Sequence, residues 1–343
     1  MLISSRKSLF CQAGNFHIDP MHAVEHAVVT HAHADHARRG SQNYYTPRTG
    51  ADLLRARLGK NIRVHSFEYG EKFVLGHVEL SFHPAGHILG SSQVRMQKLT
   101  PGTREPHGEV WVASGDYKRD ADPTCDAFEV VPCDVFVTEA TFGTPAYQWQ
   151  KGQDLGREIF EWWEANRKRG VNSVLFAYSL GKAQRVLGVL EPFAKTSIYC
   201  HPAVTPLNEC YRAQGIKLAP TVCLSEVDTG VRLRGELLLV PQSFFKGDQA
   251  QIIGDNYETA FASGWMSQSR GGYGSGGFDK GFVMSDHADW NDLVETIVET
   301  GAHRVYVQHR GNGALVKHLR TLGIQAFPES ALEIDPDQQM SLF

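Results

Sequence analysis

The stretch VVTHAHADHARRG, residues 28–40, places His31, His33, Asp35 and His36 within six positions, directly after a β-branched run. Neutral imidazole and carboxylate are the ligands that zinc and similar ions prefer in proteins. Residues two apart on an extended strand point the same way, so the first two histidines can face one ion. The aspartate and the third histidine can then face a second ion, which two-metal sites usually hold about 3.5–4 Å away. An ordinary polar loop that is rich in histidine is the alternative.

Two later stretches favour the metal site. PAGHILGS sets His87 between glycines, where backbone can approach closely, and VASGDYKRD ends a strand with Asp116, whose carboxylate is able to bridge two ions. Each signal is weak alone, because a strand-end SGD is often only a turn. Together with the histidine cluster they indicate a two-metal site.

The first 140 or so residues must position these groups, and they read as strands joined by short loops. We expect a buried strand over 26–30, a helix from Thr49 to Gly59 and a hairpin that turns at Gly76. Two more strands, within 108–116 and 133–141, each end in a carboxylate. Carboxylates at strand ends fit the proposed metal site.

The pattern changes over 143–264, where helical and strand-like segments alternate. That rhythm is typical of an α/β unit with a parallel sheet. The glycine-rich stretch 269–281 predicts a flexible loop or hinge. Helices are expected at 289–300 and 313–322, with a strand between them at 303–309.

The composition is that of a soluble globular protein, with 42% hydrophobic and 21% charged residues in 343. No apolar run approaches the roughly 18–20 residues of a membrane span, and no signal peptide is evident, so we expect a cytoplasmic protein without membrane association. The six cysteines form no CxxC pair and are expected to be reduced packing residues. A net charge of −4 argues against a surface coated in positive charge but allows a local basic groove.

Taken in order along nearly the whole chain, the motifs resemble those of the metallo-β-lactamase fold and, more closely, its nucleic-acid-cleaving β-CASP branch. The group most similar is the bacterial ligase-associated DNA exonucleases, which are related to DNA cross-link repair nucleases and mRNA 3′-end processing endonucleases; FASGWM and GFVMSDHADW are particularly like that group. The motifs that carry the resemblance are FHIDP (Asp19), THAHADH, AGHILGS, SGD, TEATFG (Glu139), SDHADW (His287) and VQHRG (His309).

The resemblance implies an α/β fold: a metallo-β-lactamase αββα sandwich with an inserted α/β β-CASP domain. The sandwich would be formed by 1–145 and 278–343, and the insertion by 146–277. It also implies two divalent metal ions, zinc being expected and manganese the alternative. One ion would be held by His31, His33 and His87 and the other by Asp35, His36 and His309, with Asp116 bridging them and Asp19 orienting a ligand histidine.

The implied activity is phosphodiester hydrolysis by a metal-activated hydroxide, in a DNA exonuclease with some endonuclease action that works in DNA repair. By analogy with relatives the direction would be 5′→3′. The catalytic residues would be Asp116, Asp35, His287 and Glu139. His287 would protonate the departing oxygen, and Glu139 would hold its tautomer. The resemblance also suggests functional association with an ATP-dependent DNA ligase and a helicase.

Substrate contacts can be sought in FAYSLGKAQRVL, where a strand leads to Ser179 and a helix opens with Lys182. Free backbone N–H groups at a helix start favour an anion, so this end is expected to bind a DNA phosphate. An ordinary N-cap with solvated basic residues is nearly as good an interpretation. Trp265, beside the glycine-rich stretch, is the candidate for stacking on a base.

Three other functions stay open. An RNA-processing or RNA-degrading nuclease has the same fold, and the RNA branch carries a histidine where His309 stands, whereas the eukaryotic DNA-repair branch usually lacks one. A small-molecule hydrolase on the same core is disfavoured, since about 190 residues separate Asp116 from that histidine, far more than the bare fold needs. A catalytically silent, metal-stabilised binding protein is disfavoured by the apparently complete ligand set.

Overall fold

The computed structural model describes residues 1–5, 8–228, 230–268, 277–308 and 312–332. The chain forms two compact units, each built from separate stretches of sequence. The first unit comprises Met1–Ala121, Cys125–Ala146 and His287–Phe343, and the second comprises Asp122–Thr124 and Tyr147–Asp286.

The strands are short, and most connections between them are brief. In chain order the strands of the described residues are β1 (Leu2–Ser5), β2 (Ser8–Cys11), β3 (Phe16–Ile18), β4 (His26–Val28), β5 (Asn43–Pro47), β6 (Val64–Phe67), β7 (Lys72–Leu75), β8 (Val78–Pro84), β9 (Ser92–Leu99), β10 (Pro106–Ala113), β11 (Val135–Thr138), β12 (Asn172–Phe176), β13 (Ile198–Cys200), β14 (Thr221–Cys223), β15 (Leu237–Val240), β16 (Tyr257–Ala262), β17 (Lys280–Phe282), β18 (Arg304–Val307) and β19 (Gln325–Pro328).

The helices begin and end at residues suited to those positions. Asp154 and Asp289 each accept a backbone N–H from the first turn of the helix that follows, and Gly170 ends the longest helix in the left-handed conformation. The α-helices of the described residues are α1 (Ala51–Leu58), α2 (Leu155–Arg169), α3 (Lys182–Leu190), α4 (Thr205–Ala213), α5 (Trp290–Glu299) and α6 (Asn312–Thr321).

The first unit contains two sheets, with strand orders β1-β2-β3-β4-β5-β6 and β19-β18-β11-β10-β9-β8-β7. Side chains alternate across the second sheet, as the period of two requires. Trp111 and Val135 join a core shared with the first sheet, whereas Val112 and Phe136 pack with residues of α5 and α6. The second sheet is therefore buried on both faces, and its strand ends are held firmly.

The second unit has one sheet, in the order β14-β13-β15-β12-β16-β17, and all of its pairings are parallel. Strands buried on both faces read as continuous apolar runs, and all four residues of β15, LLLV, are buried. Trp163 on α2 is fully buried and donates its indole N–H to the Gly235 carbonyl 3.1 Å away. The predicted alternation of helices and strands is confirmed from α2 to β14, whereas the described residues between β14 and β16 contain only 3-10 turns besides β15.

A buried network of charges links α3 of the second unit to the segment after β17. Lys182 Nζ lies 2.9 Å from Asp286 Oδ2 and donates to the Met284 carbonyl at 2.8 Å. Arg185 lies 3.4 Å from the other Asp286 oxygen and 3.3 Å from Asp122. Both cationic side chains are at least nine-tenths buried. The ammonium expected to meet a phosphate is thus held inside the unit by a carboxylate.

Most local predictions for the first unit are confirmed, with shorter elements than expected. The hairpin turns at Gly76, because Leu75 pairs with Val78 across it. The helix expected from residue 49 begins with a 3-10 turn over Arg48–Gly50 and becomes α-helical only in α1. Residues 269–276 of the glycine-rich stretch lie outside the described residues. No helix among the described residues is long and apolar enough to cross a membrane.

Gly90→Ala should lower the free energy of unfolding more than a glycine-to-alanine substitution at a position with open space. Gly90 has φ +71°, and an added Cβ would lie 2.2 Å from the backbone Cα of Gly50. An alanine at this position would be strained in the left-handed conformation and would also clash with the Gly50 backbone. We therefore expect a loss of more than about 2 kcal/mol in the free energy of unfolding. Chemical denaturation measures it, with Gly102→Ala as control. Gly102 also has positive φ but open space around it, so it should lose only about 1 kcal/mol; equal losses would contradict the contact.

Lys182→Met should also destabilise the protein strongly. The substitution keeps the length of the side chain but leaves the Asp286 carboxylate buried with one cationic partner fewer. Breaking a buried pair on one side typically costs about 3–5 kcal/mol. Denaturant titration would show the loss, and Arg157→Gln, which removes an exposed ion pair with Asp154, should change stability by less than about 1 kcal/mol. A Lys182→Met protein as stable as the wild type would show that the ammonium is not held as described.

Candidate metal centre

The candidate ligands of the first unit stand at strand ends and in one tight loop. The first histidine of the cluster, His31, follows β4, and Ser92 donates its backbone N–H to the intervening Thr30 carbonyl at 2.8 Å. Asp116 and Glu139 follow β10 and β11, which are parallel neighbours, so both carboxylates leave the sheet at the same edge. His87 sits in the β8–β9 connection, where its backbone N–H donates to Ser91 Oγ.

Three histidines and one aspartate converge on one point. His33 Nδ1 lies 3.1 Å from His31 Nε2 and 3.0 Å from His87 Nε2, and Asp116 Oδ2 lies 3.5 and 3.8 Å from those two Nε2 atoms. Metal–nitrogen bonds of about 2.0–2.1 Å in a tetrahedron separate the ligand atoms by roughly 3.3 Å. The spacing of these four donors therefore fits a metal ion.

One oxygen of Asp116 gives an independent reason to expect a cation. Its Oδ1 is buried and has no hydrogen-bond partner among the described residues. The residue is only 5% exposed, so bulk water does not provide one. Leaving a buried carboxylate oxygen unpaired is costly unless a positive charge is nearby. A bound ion would provide that charge. Two groups of side chains have donor atoms close enough to hold an ion, His31–His33–His87–Asp116 and Asp116–Glu139–His287, and we call them the metal-competent groups; Asp116 belongs to both.

The third histidine of the cluster is oriented by Asp19. Asp19 Oδ2 lies 2.7 Å from His36 Nδ1, and its Oδ1 accepts the backbone N–H of Thr30 at 2.8 Å. With Nδ1 donating to a carboxylate, Nε2 is left to face Asp116, 3.4 Å away. Thr30 also bonds Asp19 through its hydroxyl, at 2.6 Å, and its hydroxyl oxygen lies 3.1 Å from His31 Nδ1.

A second group pairs Glu139 with His287. His287 Nδ1 lies 2.9 Å from Glu139 Oε2, and it is 4.0 Å from Asp116 Oδ2. Glu139 is fully buried and also accepts the backbone N–H of Tyr117 at 2.6 Å, which fixes its orientation. The carboxylate therefore holds the histidine ring with Nδ1 as donor, close to the metal-competent cluster.

Charge and burial set the protonation states in this cluster. Burial lowers the pKa of His31 well below its usual value, and the neighbouring His36 lowers it further. Burial also opposes the charged form of His36, yet Asp116 and Asp19 raise its pKa well above the ordinary one. Burial alone would raise the pKa of Asp116, but the histidines, His36 foremost, keep it well below its usual range. Neutral His31 is in the form that binds a metal.

The structure does not bring every sequence candidate into this cluster. Asp35 is 72% exposed at its side chain, with Oδ2 3.8 Å from His36 Nε2, and it is in neither metal-competent group. His309 lies outside the described residues; the strand before it, β18, is parallel to β11 and ends at Val307. The first ligand set is therefore better defined than the second.

The substrate candidates belong to the second unit. Ser179 follows β12, and its backbone carbonyl accepts from the Gln184 side chain at 3.1 Å, while Lys182 is committed to the buried network described above. Trp265 is 46% exposed and meets the Tyr147 ring edge-on, with 5.3 Å between centroids. Of these three residues, Trp265 offers the most accessible surface.

Sequence reasoning did not identify the residues that orient the ligands, namely Thr30, Ser91 and the backbone of Tyr117. The signal for Thr30 lies within THAHADH itself, because a hydroxyl beside a ligand histidine is well placed to bond a supporting carboxylate. Gly115 is a related case, since it has φ +55° and an added Cβ would lie 2.7 Å from the Thr30 Cβ. The glycine in SGD lets the backbone before Asp116 pass close to Thr30, the residue before His31.

No protein-family model matches the chain. The chain is 28% identical to a "Probable DNA ligase" of Opitutus terrae over 95% of its own length and 30% of the ligase. It is 23% identical to an "RNase J-like protein" of Methanocaldococcus jannaschii over 51% of its length and 45% of that protein. The chain thus spans less than half of the length of these curated relatives.

Among solved structures, the chain is similar to a protein of unknown function from Enterococcus faecalis V583, with a TM-score of 0.53 and 12% identity. The similarity covers 82% of this chain and 74% of the other. At that identity it shows a shared fold alone. The mixed α/β architecture and the His/Asp cluster are thus accompanied by sequence similarity to one protein named as a DNA ligase and another named as RNase J-like.

Proposed function

We propose that the chain is a metal-dependent nuclease of the β-CASP type, with the first unit as its metallo-β-lactamase domain and the second as the β-CASP insertion. The observation that carries the proposal is the buried Asp116 carboxylate. It has one unpartnered oxygen, and it is common to a histidine cluster and to the Glu139–His287 pair. A metal-dependent phosphodiesterase uses a cation site and, for a poor leaving group, a positioned proton donor; here the residues for both share Asp116.

His31, His33, His87 and Asp116 would hold one ion, and the four donors already stand at metal-ligand spacing. Asp35, His36, Asp116 and His309 would hold the second. Divalent ions, with Zn²⁺ proposed and Mn²⁺ as the alternative, would supply Lewis-acid activation of water and neutralisation of phosphate charge. Asp19 would keep His36 Nε2 turned toward Asp116 through the bond at Nδ1.

His287 would act on the leaving group. Its Nδ1 proton is engaged by Glu139, so the proton given to the departing oxygen comes from Nε2 as the P–O bond breaks. Glu139 fixes the ring and stabilises the charged form of the histidine before that transfer. Because Glu139 is fully buried and bonded to the Tyr117 backbone, its role is to position the ring.

We propose DNA as the substrate and 5′→3′ exonuclease action in DNA repair, together with some endonuclease action. The similarity to the protein named "Probable DNA ligase" covers 95% of this chain and supports that choice and a functional link with a ligase. The ATP dependence of that ligase and the helicase partner are proposed from the motif resemblance alone. The similarity to an "RNase J-like protein" supports an RNA nuclease as the second candidate. Trp265 is proposed as a base-stacking residue in either case.

Metal content provides a test that does not depend on activity. Purified protein should retain two divalent ions per chain, and Asp116→Asn should lose them, because the substitution removes one charged oxygen from the cluster. Asp19→Asn should weaken binding by about 10- to 100-fold, as expected for a residue that orients a ligand. Elemental analysis after dialysis against graded chelator measures both. Asp52→Asn, at an exposed carboxylate of the same unit, is the control and should keep the ions; equal metal content in all four proteins would contradict the site.

Cleavage assays test the chemistry and the substrate together. End-labelled DNA and RNA strands of one sequence should be digested with added Zn²⁺ or Mn²⁺, DNA faster than RNA. His287→Ala should lower kcat by about 10²–10⁴-fold with its metal content unchanged. The His287→Ala variant should hydrolyse a diester with a 4-nitrophenyl leaving group as fast as the wild type, because that leaving group needs no proton. His303→Ala, at an exposed histidine, is the control. Faster cleavage of RNA than of DNA would overturn the proposed DNA substrate. Cleavage of neither strand would overturn the proposed nuclease activity.

A further inference from the structure

The charge of the first unit is distributed very unevenly. Residues 38–63 carry seven basic side chains and one acidic one, in a chain whose net charge is −4. The segment begins two residues after His36, the last histidine of THAHADH, and runs through α1 to the residue before β6. The remainder of the protein is therefore distinctly acidic, and this segment is an isolated positive region.

Two of the seven cations pair with a carboxylate and five do not. Arg48 pairs with Glu68, and Arg55 pairs with Asp52 at 3.0 Å. The other five form no ion pair with any residue of the described ranges. We call these five the cationic surface: Arg38, Arg39, Arg57, Lys60 and Arg63.

Hydrogen bonds tie the cationic surface to the metal cluster. Arg57 donates to the carbonyl of Ala32, the residue between His31 and His33. Arg39 in turn donates to the Arg57 carbonyl at 3.1 Å. Arg57 is therefore anchored to the loop that carries His31 and His33, and Arg39 is anchored to the backbone of Arg57.

The surface also has a cavity in which an anion can lie. The loops after Arg39 and after α1 border an open hollow of about 590 Å³, lined in part by Gly40, Ser41, Lys60, Asn61 and Arg63. The side chains of Arg38, Lys60 and Arg63 are exposed. Lys60 and Arg63 line this hollow, and the other three cations of the surface stand outside it. Cations spread beyond one hollow match a polymer of phosphates better than a single small anion.

We infer that the cationic surface binds the phosphate backbone of a nucleic acid strand whose scissile bond lies at the metal cluster. The inference rests on the proposed nuclease function and adds to it the path of the strand, which would cross α1 and the loops on either side of it. Contacts to phosphate fix the register of a strand without reading its sequence. Binding through this surface is therefore expected to be tolerant of sequence and sensitive to salt.

The test is the affinity for a phosphorothioate oligonucleotide that resists cleavage, measured by fluorescence anisotropy over a range of salt concentrations. The triple variant Arg38→Gln/Lys60→Gln/Arg63→Gln should raise Kd by 10-fold or more at low salt. For a single strand each lost phosphate contact lowers the salt slope by about 0.7, so the slope should fall by about 2. The variant should hydrolyse a small 4-nitrophenyl diester like the wild type, since the metal ligands are intact.

The matched control removes three exposed cations from the second unit, in Arg157→Gln/Lys168→Gln/Lys195→Gln. Both triple variants have the same net charge, so equal weakening would show a general charge effect and overturn the surface. Unchanged affinity of the first variant for the oligonucleotide would also overturn it. So would a wild-type protein that binds poly-glutamate as tightly as it binds the oligonucleotide. The nuclease proposal fails separately, if the wild type cleaves no phosphodiester with any metal while its salt-dependent binding still requires Arg38, Lys60 and Arg63.

Discussion

A buried carboxylate with one unsatisfied oxygen is the constraint on which the first unit depends. Asp116 Oδ2 lies within 4.0 Å of nitrogen atoms of four histidines, and His33 belongs to the same cluster. A carboxylate buried in this way is stable in its charged form only if positive charge is supplied nearby. Burial opposes the charged form of His36, but Asp116 and Asp19 raise its pKa, so His36 provides part of that charge. The bond from Asp19, the fixed orientation of Glu139 and the small glycine before Asp116 all serve to keep ligands around that carboxylate.

The sheet explains why the cluster can be held so tightly. β10 and β11 run parallel and are covered on both faces, so a shift of either strand would expose a core residue such as Val112 or Phe136. The positions of Asp116 and Glu139, which follow these strands, are therefore restrained as well. Catalytic geometry that must hold to within a fraction of an ångström is more secure at the ends of such strands than on free loops.

Sequence predicted the local parts of this structure and missed the distant ones. THAHADH carries its candidate metal ligands within seven residues, and the hairpin at Gly76 follows from local turn preference and alternation, so both could be recognised directly. Lys182 was expected at an anion site because a helix start and a positive charge are also local signals. Its actual partner, Asp286, is more than 100 residues away, and only the folded chain shows which carboxylate is close enough to take the charge.

The discontinuous make-up of the first unit has a consequence for biosynthesis. β11 ends at Thr138, but its parallel partner β18 begins at Arg304, so about 165 residues are translated before that edge can be covered. Until then the nascent polypeptide leaves an apolar strand edge open to other chains. The second unit, whose strands are all encoded in between, can be finished while the ribosome is still making the residues that close the first.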